Sequence, residues 1–119
     1  MFTSVKKEIR SFACAFKGII SAFKSEVHLK IHAIIVLIVC VCGFVFQISA
    51  IEWIVCLLCI SVVIGMELLN SAIERLTDLI EPEYNDLAGK AKDIAAGAVL
   101  TSAIISIIAG IIIFAPKIF

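Results

Sequence analysis

The feature that most constrains this chain is an uncharged apolar run, residues 94–114, that is long enough to cross a membrane. A helix spans a hydrocarbon core of about 30 Å with roughly 20 residues. Two further apolar runs, 33–46 and 54–66, precede it, and only helices satisfy their backbone hydrogen bonds within one such segment. Together with a mean hydropathy of +1.16, these runs predict a single all-α membrane domain over residues 1–119.

Four helices are expected in this domain, three of which cross the membrane. Ahead of the apolar runs, large apolar residues recur at steps of three and four from Val5 to Phe23, and basic residues follow one flank of that stripe. The pattern predicts an amphipathic helix over 2–25 that lies on the membrane surface. The predicted transmembrane helices cover 29–47, 51–80 and 90–115, with Trp53 as an interface anchor and Pro82 in the turn after the second.

Charge is distributed unevenly across the predicted membrane. Nine of the ten basic residues fall on one side, and only Lys117 falls on the other. By the positive-inside rule, the N-terminus and the 67–93 region face the cytosol and the C-terminus faces outward. The basic N-terminal segment suits anionic lipid headgroups rather than nucleic acid.

Small residues recur at every fourth position of the third membrane helix, a spacing that lets helices approach closely. These residues are Ala98, Ser102, Ser106 and Gly110. Three helices by themselves also enclose charged groups poorly. We therefore expect a homo-oligomer.

A polar face interrupts the second predicted transmembrane helix. Five residues fall within an arc of roughly 100° on that helix, and we call them the carboxylate face: Glu67, Asn70, Ser71, Glu74 and Asp78. An ionised carboxylate near the bilayer centre costs about 2.5–3.5 kcal/mol on insertion scales, so such residues usually serve a function. Counted from Trp53 at about 1.5 Å per residue, Glu67 lies about 21 Å down and Glu74 about 32 Å. This places Glu67 inside the inner leaflet and Glu74 at its surface.

Depth suggests two roles for the carboxylates. Glu74, with Glu26 at the same depth on another helix, offers hard oxygen ligands for Mg²⁺ accompanied by phosphates. Lys92, Asp93 and the basic helix would hold the polyphosphate, and Glu67 would take a proton from a lipid hydroxyl. Neither a P-loop nor the protein-kinase motifs are present. The residues alone leave three interpretations open: phosphoryl transfer to a membrane alcohol, a scaffold whose polar residues join an oligomer, and a proton-coupled transporter.

A long motif combines these residues: Glu67-x-x-Asn70-Ser71-Ala72-Ile73-Glu74-x-x-x-Asp78, followed by Glu83-Tyr84 and Lys92-Asp93. It resembles the motif of the prokaryotic diacylglycerol kinase family, which includes undecaprenol kinases, and the resemblance runs over nearly the whole chain. The resemblance implies a homotrimer in the bacterial cytoplasmic (inner) membrane, built from three-helix subunits with a surface helix. It further implies Mg²⁺ and ATP at active sites shared between neighbouring subunits. The implied product is a phosphorylated lipid alcohol, undecaprenol or diacylglycerol, for cell-envelope carrier or phospholipid metabolism.

Carried over residue by residue, the resemblance implies that Glu67 is the catalytic base and that Glu26 and Glu74 hold the metal with ATP. The implied lipid contacts are Glu67, Asn70 and Ala96. The implied ATP contacts are Lys7, Cys14, Lys17, Glu26, Glu74, Glu83, Tyr84, Asn85, Lys92 and Asp93. Lys7 and Cys14 stand where the best-known members carry Arg and Tyr.

Two segments bear on the choice of lipid. Residues 23–32 and 51–53 look more like the undecaprenol kinases, which favours undecaprenol over diacylglycerol. Within the first segment, His28 and His32 are expected to pack at the mouth of the first membrane helix rather than to bind a ligand.

Overall fold

The computed structural model describes residues 2–83 and 85–119, and nearly all of them are helical. The four helices are α1 (Phe2–Ser25), α2 (Val27–Val45), α3 (Ala50–Ile80) and α4 (Asp86–Ile118). Helices α2, α3 and α4 are each long and apolar enough to cross a membrane. The expectation of an all-α chain with three such helices is thereby confirmed.

Local hydrogen bonds set where the two long helices begin. At the start of α3, the Glu52 amide donates to Ser49 Oγ at 3.2 Å, and the Ser49 amide donates to Glu52 Oε1 at 2.9 Å. This reciprocal cap satisfies amides that have no partner within the helix. At the start of α4, Asn85 Oδ1 accepts from the amides of Leu87 and Ala88 at 2.9 and 3.4 Å. This cap starts α4 at residue 86, four residues before the predicted transmembrane span 90–115 begins.

Helices α3 and α4 lie antiparallel, and side chains join them at both ends. At one end Lys92 of α4 donates to Asp78 Oδ1 of α3. At the other end Lys117 Nζ donates to Glu52 Oε2 at 2.7 Å. Helix α2 packs against α3, and α1 touches both α2 and α3. We call the end with the α3–α4 turn the polar end, and the end with the α2–α3 turn the distal end.

The apolar core lies at the distal end. Ile48, Cys56 and Ile113 are buried there. Beside them, the rings of Phe46 and Phe114 meet edge to face with centroids 6.2 Å apart. This cluster lies at the end opposite to the carboxylate face.

Gly43 lets α2 approach α3 closely at the distal end. A Cβ at this position would lie 2.5 Å from a ring carbon of Trp53, far inside ordinary contact. The absence of a side chain leaves room for the Trp53 ring, whose centroid is 5.0 Å from that of Phe44. This close contact sets how near α2 lies to α3 at the distal end.

Much of the apolar surface of the three long helices is left uncovered by the chain itself. The molecule measures 51 × 47 × 21 Å, and only 11%, 17% and 6% of the most apolar stretches of α2, α3 and α4 are buried. Apolar surface in contact with water is unfavourable by roughly 25 cal/mol per Å². The architecture therefore suits a lipid environment and contact with further subunits.

Candidate active site

Glu67 is the buried carboxylate of the molecule's polar region. Its residue exposure is 7%, and its Oε1 lies 3.5 Å from Nε2 of His32, which α2 presents to α3. A carboxylate removed from water needs a charged or hydrogen-bonding partner, because its desolvation is otherwise strongly unfavourable. His32 is that partner. The residue that the sequence predicts as the base therefore lies in the crevice between α2 and α3.

Glu26 connects the α1–α2 corner to α3. It is the N-cap residue of α2, with an extended backbone, and its Oε1 accepts a hydrogen bond of 2.9 Å from Ser71 Oγ. The same oxygen lies 3.7 Å from Nη2 of Arg75, and that nitrogen donates to Ser25 Oγ at 2.6 Å. These contacts bring Glu26 onto the carboxylate face, as its predicted role requires.

Glu74 and Asn70 lie one turn apart on the same face. Asn70 Nδ2 donates to Glu74 Oε1 at 3.3 Å. The other end of this amide, Oδ1, is buried and has no hydrogen-bond partner among the described residues. Buried polar atoms are nearly always paired in folded proteins, so this oxygen marks a place where a ligand hydroxyl or a metal ion fits.

The donor set around Ser71 suits Mg²⁺ held together with phosphates. Ser71 contacts Glu26 directly, and Glu74 follows Ser71 by three residues, so both carboxylates flank one turn of α3. Within residues 2–83 and 85–119, no group of three His, Cys, Asp or Glu side chains is placed to hold a metal. Mg²⁺ is commonly held by one or two carboxylates plus substrate phosphates rather than by a cage of protein ligands. Glu26 and Glu74 match that pattern.

A polar depression of about 400 Å³ lies at the α3–α4 turn. Four of the predicted ATP contacts line it: Glu83, Asn85, Lys92 and Asp93. Lys92 is held there by Asp78 of the carboxylate face. Tyr84 lies outside the described residues. The turn therefore gathers four of the predicted nucleotide residues, together with Asp78, into one solvent-open depression.

The predicted ATP contacts on α1 are not gathered into this depression. Lys7, Cys14 and Lys17 are exposed, and Lys17 lines a separate shallow surface on α1. In the described part of the chain, the polar contacts of α1 with other helices run through Ser25. In the described part of one chain, α1 therefore makes polar contacts with the polar end only through its last residue.

An apolar groove leads away from Glu67. Its volume is about 280 Å³, and it lies between α2, α3 and α4 from His32 at its polar mouth to Phe114 at the distal end. Ser106 and Gly110 of the small-residue stripe line the groove. Larger side chains at these two positions would fill it. Ala96, the remaining predicted lipid contact, is exposed on α4 one turn beyond Lys92. The groove is therefore an apolar space whose polar end is marked by His32, the neighbour of Glu67.

Several residues of this arrangement are absent from the predicted site. The sequence places Ser71 on the carboxylate face but predicts no contact for it, and it marks Arg75 only as one of the basic residues. His32 was expected to pack, yet it faces Glu67. Its position in the otherwise apolar segment 31–46 is the one sequence signal that marks it.

Comparison with known proteins identifies the family. The model of the family described as "Prokaryotic diacylglycerol kinase" matches residues 13–114. The chain belongs to the prokaryotic diacylglycerol kinase family. This confirms the resemblance carried by the Glu67–Asp93 motif.

Named relatives in this family carry two activities. An undecaprenol kinase of Bacillus subtilis (strain 168) is 44% identical over 108 residues, which cover 91% of this chain and 88% of that protein. A diacylglycerol kinase of Escherichia coli (strain K12) is 31% identical over 106 residues, 89% and 87% of the two chains. A diacylglycerol kinase of Haemophilus influenzae is 32% identical over 113 residues, 94% and 96% of the two chains. The chain is accordingly a membrane lipid kinase, and this selects phosphoryl transfer among the three interpretations that the residues left open.

Proposed function

We propose that this protein transfers a phosphoryl group from ATP to the hydroxyl of undecaprenol, at the cytosolic face of a bacterial inner membrane. Two facts support undecaprenol over diacylglycerol. The Bacillus subtilis relative named undecaprenol kinase is 44% identical, against 31% for the Escherichia coli diacylglycerol kinase. The sequence segments 23–32 and 51–53 point the same way. Diacylglycerol is the alternative acceptor, since both lipids are membrane alcohols with an interfacial hydroxyl.

The observation that carries the proposal is the buried carboxylate of Glu67 beside His32, the residue that lines the polar mouth of the apolar groove. A lipid chain in the groove would bring its hydroxyl to this mouth. There Asn70 Oδ1, which lacks a partner among the described residues, would accept the hydrogen bond of the arriving hydroxyl before that hydroxyl turns to Glu67. Glu67 would take the hydroxyl proton as the oxygen attacks, which is the role of a general base within hydrogen-bond reach. Exclusion of water by the surrounding helices strengthens such polar interactions.

Glu26 and Glu74 would hold Mg²⁺ with the phosphates of ATP. The metal would neutralise charge on the transferring phosphoryl group, as it does in other phosphoryl transfers. Lys92, once released from Asp78, would bind phosphate, and the other residues of the α3–α4 turn would bind the nucleotide. Those residues are Glu83, Tyr84, Asn85 and Asp93. Lys7, Cys14 and Lys17 of α1 would complete the nucleotide site.

The same proposal includes a homotrimer whose active sites are shared between subunits. The uncovered apolar faces of α2–α4 support an assembly within the membrane. The exposure of Lys7, Cys14 and Lys17 supports a site to which a neighbour's α1 contributes. In this arrangement α1 lies on the cytosolic surface, the N-terminus is cytosolic and the C-terminus faces outward.

The deciding experiment offers undecaprenol and diacylglycerol, side by side, to the purified protein with radiolabelled ATP. We expect label in undecaprenol phosphate, with less in phosphatidic acid. The variant Glu67→Gln should lose about 10²–10⁴-fold in turnover, the range that general acid–base groups contribute. Asp86→Asn, which removes an exposed carboxylate in the first turn of α4 outside the polar depression, is the matched control. Transfer to neither lipid would overturn the proposed function, and wild-type turnover of Glu67→Gln would overturn the assignment of the base.

A further inference from the structure

His32 is the imidazole that faces the proposed base. Its side chain is 19% exposed and that of Glu67 is 9% exposed, so both groups are largely withdrawn from solvent. His32 also lines the apolar groove at its polar mouth. The two residues come from different helices, so their contact exists only because α2 and α3 are packed in this register.

The imidazole lies just outside hydrogen-bond range of the carboxylate that it would orient. His32 Nε2 lies 3.5 Å from Glu67 Oε1, a few tenths of an ångström beyond the ordinary N–H···O range of about 2.7–3.2 Å. Hydrogen bonds of catalytic groups are often long without substrate and tighten in the reacting complex. Once Oε1 is bound to the imidazole in that complex, Oε2 is the oxygen that remains for the lipid hydroxyl.

A buried glutamate needs such a restraint to act as a base. Its side chain rotates about three bonds, and a carboxylate displaced by about 1 Å from the productive position can lower the rate roughly 100-fold. A neighbouring imidazole N–H limits that rotation, as the orienting third group of a catalytic triad does for its base. Among the described polar side chains, His32 is the one within ion-pair distance of Glu67.

We propose that His32 is a positioning residue for Glu67 in the phosphoryl transfer, an inference that rests on the proposed function. His32 Nε2–H holds Oε1 while Oε2 accepts the hydroxyl proton. The lipid oxygen forms its bond to the γ-phosphorus, the bond from that phosphorus to the β,γ-bridging oxygen breaks, and ADP leaves with the electron pair. The proton on Glu67 passes to water after the transfer. His32 keeps its own protonation state throughout.

The test compares two amide substitutions of the same polarity. In His32→Gln the amide nitrogen reaches about as far as imidazole Nε2, whereas in His32→Asn it reaches only as far as Nδ1. We expect His32→Asn to lower kcat by about 10- to 100-fold with little change in the KM for ATP. His32→Gln should recover most of that loss. His28→Asn, at an exposed position one turn earlier on α2, is the matched control and should behave as the wild type.

Combining each His32 substitution with Glu67→Gln distinguishes a positioning role of His32 from other roles. If His32 acts through Glu67, His32→Asn should produce no further loss in the Glu67→Gln background, as a double-mutant cycle measures. Equal kcat for His32→Asn and wild type would overturn the inference. So would equal defects in the Asn and Gln variants, or a full additional loss in the Glu67→Gln background. An inactive Glu67→Gln with a fully active His32→Asn would overturn this inference alone, whereas an active Glu67→Gln would overturn the proposed base.

Discussion

At the scale of single residues, the two carboxylates at different depths meet different partners. Glu67 is buried beside an imidazole and an apolar groove, a setting suited to proton transfer. Glu74 is more accessible, and its partner is the Asn70 amide, which leaves it able to bind a hydrated ion. In the proposed mechanism, depth along one helix would therefore separate a role in proton transfer from a role in binding the metal, although both side chains are glutamates.

This division predicts a specific defect in Glu74→Gln. Loss of one carboxylate charge weakens a Mg²⁺ site that has few protein ligands. We expect half-maximal activity to require at least about tenfold more Mg²⁺, corresponding to roughly 1.4 kcal/mol of lost affinity. Phosphoryl transfer measured across a Mg²⁺ titration, with Asp86→Asn in parallel, checks this. Superimposable titration curves for Glu74→Gln and wild type would remove Glu74 from the metal site.

At the scale of helices, the polar contacts depend on how α2 crosses α3. Gly43 permits the approach of Trp53 at the distal end, and α2 then carries Glu26 and His32 to α3 at the other end. Because α2 is a continuous helix, a displacement at Gly43 is transmitted toward both side chains. A distal glycine thus contributes to the geometry of the polar end.

Gly43→Ala should accordingly destabilise the protein. The added methyl group would force the Trp53 ring or α2 to move, and overpacking of this kind typically costs about 1–3 kcal/mol. We expect a lower unfolding temperature in detergent micelles, followed by circular dichroism, together with reduced turnover. Gly65→Ala on α3 is the control, because a Cβ there meets no heavy atom of the described chain within 4 Å. An unfolding temperature for Gly43→Ala at or above that of the control would contradict the proposed close approach.

At the scale of the whole molecule, one chain keeps the predicted ATP contacts of α1 apart from the other predicted site residues. The α3–α4 turn, the carboxylate face and the groove belong together in a single subunit. The basic residues of α1 are exposed and largely apart from them. A trimer in which α1 of one subunit reaches α3 and α4 of the next would bring the α1 residues together with the other predicted site residues. It would also cover apolar faces.

This arrangement predicts complementation between inactive variants. Mixed trimers of Lys17→Ala and Glu67→Gln subunits should regain activity, because some sites would combine an intact α1 with an intact Glu67. Mixed trimers of Lys92→Ala and Glu67→Gln should not, since both changes lie in the same α3–α4 unit. Turnover of co-reconstituted proteins measures the difference. If the first mixture is no more active than its two components assayed separately, the shared site is contradicted.

The amino-acid sequence by itself determined the three apolar helices, the polar face on α3 and the family. These features are local, because hydropathy, helical periodicity and the Glu67–Asp78 motif can all be read within one segment. The start of α4 was harder to predict from the sequence, because the cap formed by Asn85 adds a turn that the apolar pattern does not mark. A polar residue that could serve either as a cap or as a ligand leaves such a boundary ambiguous.

Only the tertiary structure decided which side chains meet. The contacts of His32 with Glu67 and of Ser71 with Glu26 join helices separated by many residues along the chain. They depend on the rotation of α2 about its axis and on its crossing with α3, which follow from packing at Gly43 and Trp53. A helix turned by one residue, about 100°, would present a different side chain to Glu67. That rotation is a property of the packed helices, so no single segment of the sequence specifies it.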